Sequence, residues 1–498
     1  MDTRQGAARA EILAFAALIA LAAIVLWPYR RFAGDDAYIS FRFAENLASG
    51  HGFAFNPDEP TYGATSPLWI FLLAGARRLG APIPAAAHAL NAACVLLALA
   101  AFWLLGQSYL RRPALRWAAA ALLVLDPWFV RWSMSGMENA LALFLLSSAM
   151  LAQLRGRGSA SVPWAAPICA GLGLLTRPEL AVFTALLLLD TWLFEREARA
   201  KKVVAYGLVI ALIVLPWLVY AKVHFGTLVP NTVTAKIGAG RPVALLRTLM
   251  YFGSFYLFEA AGLAACLALG ARRLLEALRD PARRARWFLP VCWAVALPLF
   301  YIAGSAPVAG RYLMLGLPAY LLVGVKAWEL LLSLAAPRVR PALLVGALVG
   351  LSIGLVGFVQ YRYCWYLTRW PEGMDPQMIA LGRWLKANSE PGEVICTDQI
   401  GVVGSLSDRA ILDSAGLISP EMQRYNRNAD ERVIWREIRR HGPAWLIARH
   451  DKARLTALDP AYESLDLVGV YEVQREGGGD AGALFRYHLY RTHWRRAR

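Results

Sequence analysis

Eleven apolar runs punctuate the chain. They lie at 12–28, 85–110, 116–126, 137–154, 160–175, 179–194, 203–223, 251–270, 287–304, 311–333 and 342–360. A helix needs roughly 17–25 apolar residues to cross a bilayer core, so the longer runs predict transmembrane helices. Several runs are short. Such helices are tolerated at membrane depth where protein or a cavity surrounds them. A mainly α, polytopic bundle of about eleven spans is expected, with broken or tucked-in members. The first run exceeds a typical signal-peptide core of about 7–15 residues and lacks a clean small-residue exit. It predicts an uncleaved first span. The stretch 67–79 is expected to lie at the interface and not to span.

After residue 360 the pattern changes. A helix is expected at 375–388 and a buried strand at 393–397. A turn carrying Gly401 and Gly404 and a strand near Ala410–Leu412 come next. A helix at 429–440 and strands near 444–448, 467–474 and 483–490 complete the series. Helices alternating with strands predict a small α/β domain. The expected division is a membrane-helix domain at 1–360, with a first outer loop at 29–84, and a C-terminal α/β domain at 361–498.

Composition supports the membrane reading. Hydrophobic residues make up 58% and charged residues 17%, against about 45–50% and 25% in soluble chains. Disorder, a collagen-like fibre and a soluble multidomain enzyme are excluded. The net charge of +17 would suggest nucleic acid in a soluble protein, but its distribution argues otherwise. The N-terminus and the segments 111–116, 155–157, 195–202, 272–286 and 338–340 hold 19 Lys/Arg against 5 Asp/Glu. They alternate along the eleven runs and so share one side, which the positive-inside rule makes cytoplasmic. The region 361–498 is close to neutral, with 20 basic and 18 acidic residues. The charge therefore records orientation, and no nucleic-acid partner is expected. The loop 29–84 and everything after 360 face outward. Arg30, Arg31, Arg77 and Arg78 run against the rule. The six cysteines form no CxxC pair, and no metal-ligand spacing is present.

Polar clusters recur at the outward ends of the runs. Asp35 and Asp36 follow the first span in GDDAYISFRFAENLASGHGFAFN, Gly34–Asn56. The segment after them is amphipathic, with Ala37, Phe41, Ala44 and Ala48 on one face and Tyr38, Arg42, Glu45 and Ser49 on another. Asp35 as an N-cap and Asp36 in the first turn is one reading. General-base chemistry is the other, since a neighbouring charge and partial burial raise a carboxyl pKa. The two are compatible. SGMEN places Glu138 at the start of a span, and TRPE puts Arg177 and Glu179 in a tight turn. PNTVTAK carries Asn231 and Lys236, and Arg311 and Tyr312 open the run at 311–333. Ionisable residues at membrane depth are functional candidates. Each has a structural alternative. Arg177 and Glu179 make a plausible ion pair, Glu138 a helix cap, Lys236 a solvated lysine and His51 a Gly-His-Gly turn residue.

The ordered set DDAYISFR, GHGFAFNP, SGME, TRPE and PNTxxAK resembles the GT-C superfamily of polytopic glycosyltransferases. It is most similar to the bacterial branch around the terminal β-(1→2)-arabinofuranosyltransferase. DQIGVVGSLSDRAILDSAGL, Asp398–Leu417, resembles the small outer domain of that branch. The resemblance implies an inverting transferase of the bacterial inner membrane with its C-terminal domain in the periplasm. The donor would be a polyprenyl-phosphate sugar. The acceptor would be a hydroxyl of a glycan, lipid or protein of the cell envelope. Asp35 and Asp36 match the acidic pair that supplies the base. Arg177, Lys236 and Arg311 are candidates for the donor phosphate. Tyr38, Arg42, His51, Glu138 and Asn231 are candidates for shaping the pocket. No cofactor or metal is implied by a monophosphate donor. The chain departs from the pattern at Val233–Thr234, where an aromatic pair is commoner, and at Thr61–Thr65. The competing classes are a lipid-linked-sugar flippase, whose repeats and mid-membrane charges are not seen, and a non-catalytic envelope or motility regulator.

Overall fold

A computed structural model describes residues 2–235, 241–250, 279–304, 310–335, 341–364, 376–426, 430–474 and 484–494, with single positions between 257 and 264. The apolar runs fold as helices α1 (Asp2–Leu26), α4 (Ile83–Tyr109), α5 (Pro113–Leu125), α7 (Asn139–Arg155), α8 (Ala165–Leu174), α9 (Leu180–Phe194) and α10 (Arg199–Phe225). After the short α11 (Asn231–Ala235) and α12 (Arg241–Met250), they continue as α13 (Pro281–Ala303), α14 (Leu317–Ala335) and α15 (Pro341–Cys364). The run at 251–270 falls mostly outside the described residues.

Five of the described helices are long and apolar enough to cross a membrane, or six if one bent pair counts as a span. The expected eleven is not reached among the described residues: Asn139–Arg155, Ala165–Leu174 and Leu180–Phe194 are shorter than a span, and the run at 251–270 lies mostly outside those residues. The bent pair is α5 and α6 (Pro127–Ser133), which meet at 58°. The break is encoded locally. Pro127 cannot continue the ladder of α5, and the Asp126 side chain accepts the Phe129 N–H at 2.6 Å to start α6. α7 is apolar almost all round and buried along its length, as such a helix must be. α10 instead exposes Leu208, Leu212, Leu215 and Val219, a surface suited to lipid.

The segment 29–84 folds as α2 (Asp35–Ser49) and α3 (Pro67–Arg78). Two of the arginines that run against the charge rule, Arg77 and Arg78, have local work at the end of α2. Arg77 Nε donates to Glu45 at 3.0 Å, and Arg78 donates to the carbonyls of Leu47 and Ala48. Cations are favoured at the last carbonyls of a helix.

The C-terminal region contains a five-stranded sheet in the order β2-β1-β3-β5-β4. Its strands are β1 (Val394–Thr397), β2 (Ala410–Asp413), β3 (Trp445–Ala448), β4 (Asp466–Gln474) and β5 (Leu484–Arg491). β1 is parallel to β2 and β3, and β5 is antiparallel to β3 and β4. Its helices include α16 (Pro376–Asn388), α17 (Ile400–Ser407) and α18 (Arg432–His441). One expectation is corrected: Gly401 and Gly404 sit inside α17, not in a turn. Their role is close approach. A Cβ on Gly401 would lie 2.0 Å from the Asp35 carbonyl oxygen, and one on Gly404 would lie 2.7 Å from the Phe55 ring.

The segment 29–84 and the sheet domain are clamped together. Asn56 donates its amide to the Ile411 carbonyl at 3.0 Å and accepts the Ile411 N–H at 2.9 Å. It thus pairs with the otherwise open edge of β2, as a strand would. Arg42 donates to the Phe55 carbonyl at 3.2 Å and pairs with Asp408 at 2.5 Å. Thr61 Oγ1 donates to the Ile418 carbonyl at 3.3 Å.

Candidate functional site

A cavity of about 370 Å³ lies where the bundle meets the sheet domain. Asp36, Ile39 and Ser40 of α2 form one wall. Ser66, Glu138, Arg177 and Glu179 form a second, and Tyr301, Arg311 and Tyr312 a third. Thr232, Val233 and Leu417 close it further.

The acidic pair divides its labour. Gly34 is the N-cap of α2, so Asp35 and Asp36 occupy the first turn and not the cap itself. Consecutive helical residues point about 100° apart. Asp35 Oδ1 therefore turns to α17 and accepts the Val402 N–H at 2.8 Å. Asp36 turns into the cavity and pairs with Arg311 at 2.5 Å. The Arg311 guanidinium lies 5.1 Å from the ring centroids of both Trp132 and Tyr312 and donates to the Tyr312 hydroxyl at 3.2 Å.

A second buried group lies opposite. Arg177 pairs with Glu138 at 2.9 Å and with Glu179 at 2.8 Å, all three nearly fully buried. Glu138 also accepts from Ser66 at 3.3 Å. Its position follows from the SGME turn. Gly136 has φ +77°, and a Cβ there would lie 2.8 Å from Phe41. Its N–H donates to Asn91 at 2.9 Å, and its carbonyl accepts from Trp69 at 2.9 Å. Asn91 also donates to the Met137 carbonyl at 2.8 Å. The cavity lining thus holds three carboxylates and two guanidiniums among the described residues, and both guanidiniums are engaged by carboxylates.

Leu417 reaches the cavity on a loop built around Asp413. Its carboxylate accepts the N–H groups of Ala415 at 2.8 Å, Leu417 at 2.5 Å and Ile418 at 3.0 Å. Burial pushes this carboxyl up to about 6, against the pull of those donors.

Comparison with solved structures identifies related architectures. ArnT from Cupriavidus metallidurans bound to undecaprenyl phosphate superposes with a TM-score of 0.57 at 15% identity, covering 96% of this chain and 97% of that one. Its apo form gives 0.58 at 16%, covering 97% and 98%. Arabinofuranosyltransferase AftD from Mycobacteria gives 0.52 at 16% and covers 97% of this chain. This chain spans 40% of AftD. The fold is of the GT-C type. Residues 367–495 also match a domain of unknown function, DUF8728. Comparison with curated protein sequences finds no match.

Within this GT-C-type fold the candidates separate. Asp36, Arg177, Arg311 and Glu138 line one cavity. Asp35 and Arg42 are spent on the clamp to the sheet domain. Tyr38 packs on Phe41, 5.5 Å between ring centroids, away from the cavity lining. His51 sits at an exposed turn between two glycines of positive φ, 3.3 Å from Asp58. Asn231 opens the short helix Asn231–Ala235 and is held by Tyr62, Thr61 and Gln423. Its neighbours Thr232 and Val233, not Asn231, reach the cavity. Lys236 lies outside the described residues. The site also recruits Ser66, Tyr301 and Leu417, which sequence reasoning missed. Tyr301 closes an apolar run and Ser66 precedes a Pro, so neither carries a local chemical signal. Glu179 is legible in TRPE as the ion-pair partner of Arg177, and Tyr312 only as the neighbour of Arg311. Among the described residues, no three His, Cys, Asp or Glu side chains group to hold a metal ion.

Proposed function

We propose that the chain is a membrane glycosyltransferase that moves a monosaccharide from a polyprenyl-phosphate donor to a hydroxyl of a cell-envelope acceptor. The observation that carries this reading is the division of the acidic pair. Asp36 stands in the cavity beside Arg311, while Asp35 is occupied elsewhere. Undecaprenyl phosphate in the ArnT structure supports the donor class.

In this reading Asp36 takes the proton from the acceptor hydroxyl, whose oxygen attacks the anomeric carbon opposite the phosphate. Inversion follows from a single displacement. Arg311 has five N–H donors and can face both Asp36 and a phosphate. As charge grows on the departing phosphate, the guanidinium is drawn towards it. Its hold on Asp36 then weakens, and the carboxylate becomes a better proton acceptor. Arg177 keeps Glu138 and Glu179 in place and stacks 5.3 Å from the Tyr312 ring centroid, so it shapes the site and does not stand free for phosphate. Lys236, which follows the cavity-lining Thr232 and Val233 in sequence, is the candidate for an additional phosphate contact. The chain would sit in the bacterial inner membrane with about eleven spans, its site and the 361–498 domain outward.

The test is transfer from a radiolabelled polyprenyl-phosphate sugar in membranes carrying the full chain. Asp36→Asn should abolish transfer, and Asp35→Asn should retain it in the folded fraction. Undiminished transfer by Asp36→Asn would sink the mechanism.

A further inference from the structure

A second cavity, of about 310 Å³, lies within the α/β domain. Asp398 directly follows β1, Ser414 directly follows β2, and both line it. The cavity therefore opens beyond the carboxyl ends of parallel strands. β2 and β3 flank β1 on opposite sides, so the connections diverge here, as they do where ligands bind open α/β sheets. The remaining wall is Tyr425 and Asn426 of the short helix Met422–Asn426, with Glu431 and the Trp435 face of α18.

The lining mixes aromatic rings with oxygen acceptors. Asp398 pairs with Arg449 at 3.0 Å. Glu431 pairs with His450 at 2.6 Å and Arg454 at 2.8 Å. Each carboxylate keeps lone pairs after these bonds. The buried Trp435 indole N–H has no hydrogen-bond partner among the described residues. A buried donor without a partner beside a void calls for an acceptor. The carboxylates repel a phosphate, and their cationic partners leave no bare pair for a divalent ion. A neutral, hydroxyl-rich ring fits. Its hydroxyls can donate to Asp398 and Glu431 and accept from Trp435 and Asn426, while its C–H face lies on an aromatic ring.

We propose that this cavity is a saccharide-binding site. One loop forms a wall common to both cavities: Ser414 and Ala415 line this one, and Leu417 lines the other. Asp413 holds that loop rigid through three backbone N–H groups. Resting on the glycosyltransferase reading above, the bound saccharide is the part of the acceptor chain that extends beyond the reacting sugar. Binding itself does not depend on that reading.

The test uses the full chain in lipid nanodiscs, free of sugar-headed detergent. The probes are neutral di- and trisaccharides of arabinose, galactose, glucose and mannose, read by saturation-transfer NMR and tryptophan fluorescence. At least one should bind saturably, at least about tenfold more weakly in Tyr425→Ala and Asn426→Ala, and equally well in Asp36→Asn. Trp435 packs against Tyr462 and His450, so Trp435→Phe, which removes the N–H and keeps a ring, is the informative variant there and should also weaken binding. The proposal falls if no probe binds saturably, or if binding survives Tyr425→Ala and Asn426→Ala. Saccharide binding without any transfer would sink the proposed function and leave this site. Transfer without saccharide binding would do the reverse.

Discussion

Two clusters of buried charge sit at opposite ends of the same helices. α7 and α9 carry Glu138 and Glu179 at their N-terminal ends, beside the cavity. At their C-terminal ends Gln153 and Asp190 join Arg157, Glu195, Lys202 and Tyr206, about 16–22 Å away at 1.5 Å per residue. The far cluster is closed. Arg157 pairs with Asp190 at 2.7 Å, Lys202 with Glu195 at 2.7 Å, and Tyr206 donates to Gln153 at 2.6 Å. It is balanced, with two acids and two bases. The cavity cluster has three acids to two bases and faces a void. The difference teaches that buried charge alone does not mark a site. Charge that is both preorganised and reachable does.

The largest contrast should appear on replacing one carboxylate at each end. Asp36→Asn should lower transfer per folded molecule by about 10²–10⁴-fold, with a stability loss of about 1–3 kcal/mol from its weakened bond to Arg311. Asp190→Asn should leave the transfer rate per folded molecule unchanged, measured on matched amounts of folded protein. Equal losses of rate would erase the distinction between the ends.

Arg177→Met should come next. It strands Glu138 and Glu179 without their cation, and breaking a buried pair costs about 3–5 kcal/mol. Thermal unfolding in nanodiscs should show a clear fall in Tm, and activity should fall with it. A variant of unchanged Tm would mean that Arg177 is free for ligand after all. At the far end, Asp190→Asn weakens a hydrogen-bonded pair whose arginine is partly exposed, and about 1–3 kcal/mol is expected from the same melt.

The smallest effect should be at the partly exposed pair of the sheet domain. Glu393 meets Arg491 at 2.5 Å and accepts from Trp445 at 2.8 Å. The Arg491 bond holds its carboxyl down at about 2, below the unfolded value of about 4.3. Its contribution is therefore complete above about pH 4.3 and is lost as pH falls through 4 towards 2. Glu393→Gln should flatten that arm of a stability-versus-pH curve. An unchanged acid arm would show that this pair contributes nothing.

Much of this architecture was legible because its signals are local. Apolar runs became helices, the 67–79 stretch became the amphipathic α3, and strands emerged near 393–397, 410–412, 444–448, 467–474 and 483–490. The conversation between distant segments was not legible. Asp35 and Asp36 are neighbours with the same chemistry, and only the Val402 N–H, 367 residues further on, separates their roles. Arg42 looked like a pocket residue because its partner Asp408 is 366 residues away. Gly401 and Gly404 suggested a turn because glycine usually interrupts helices. In α17 they are smooth contact points, needed by the backbone of α2 and the ring of Phe55.

The pairing of Asn56 with Ile411 has a consequence in time. Its two halves are 355 residues apart, about 18–70 s of synthesis at about 5–20 residues per second. The loop is made long before the strand edge it will cover. When β2 emerges, its complement has already been synthesised, while the same domain made alone would present that edge to any passing strand.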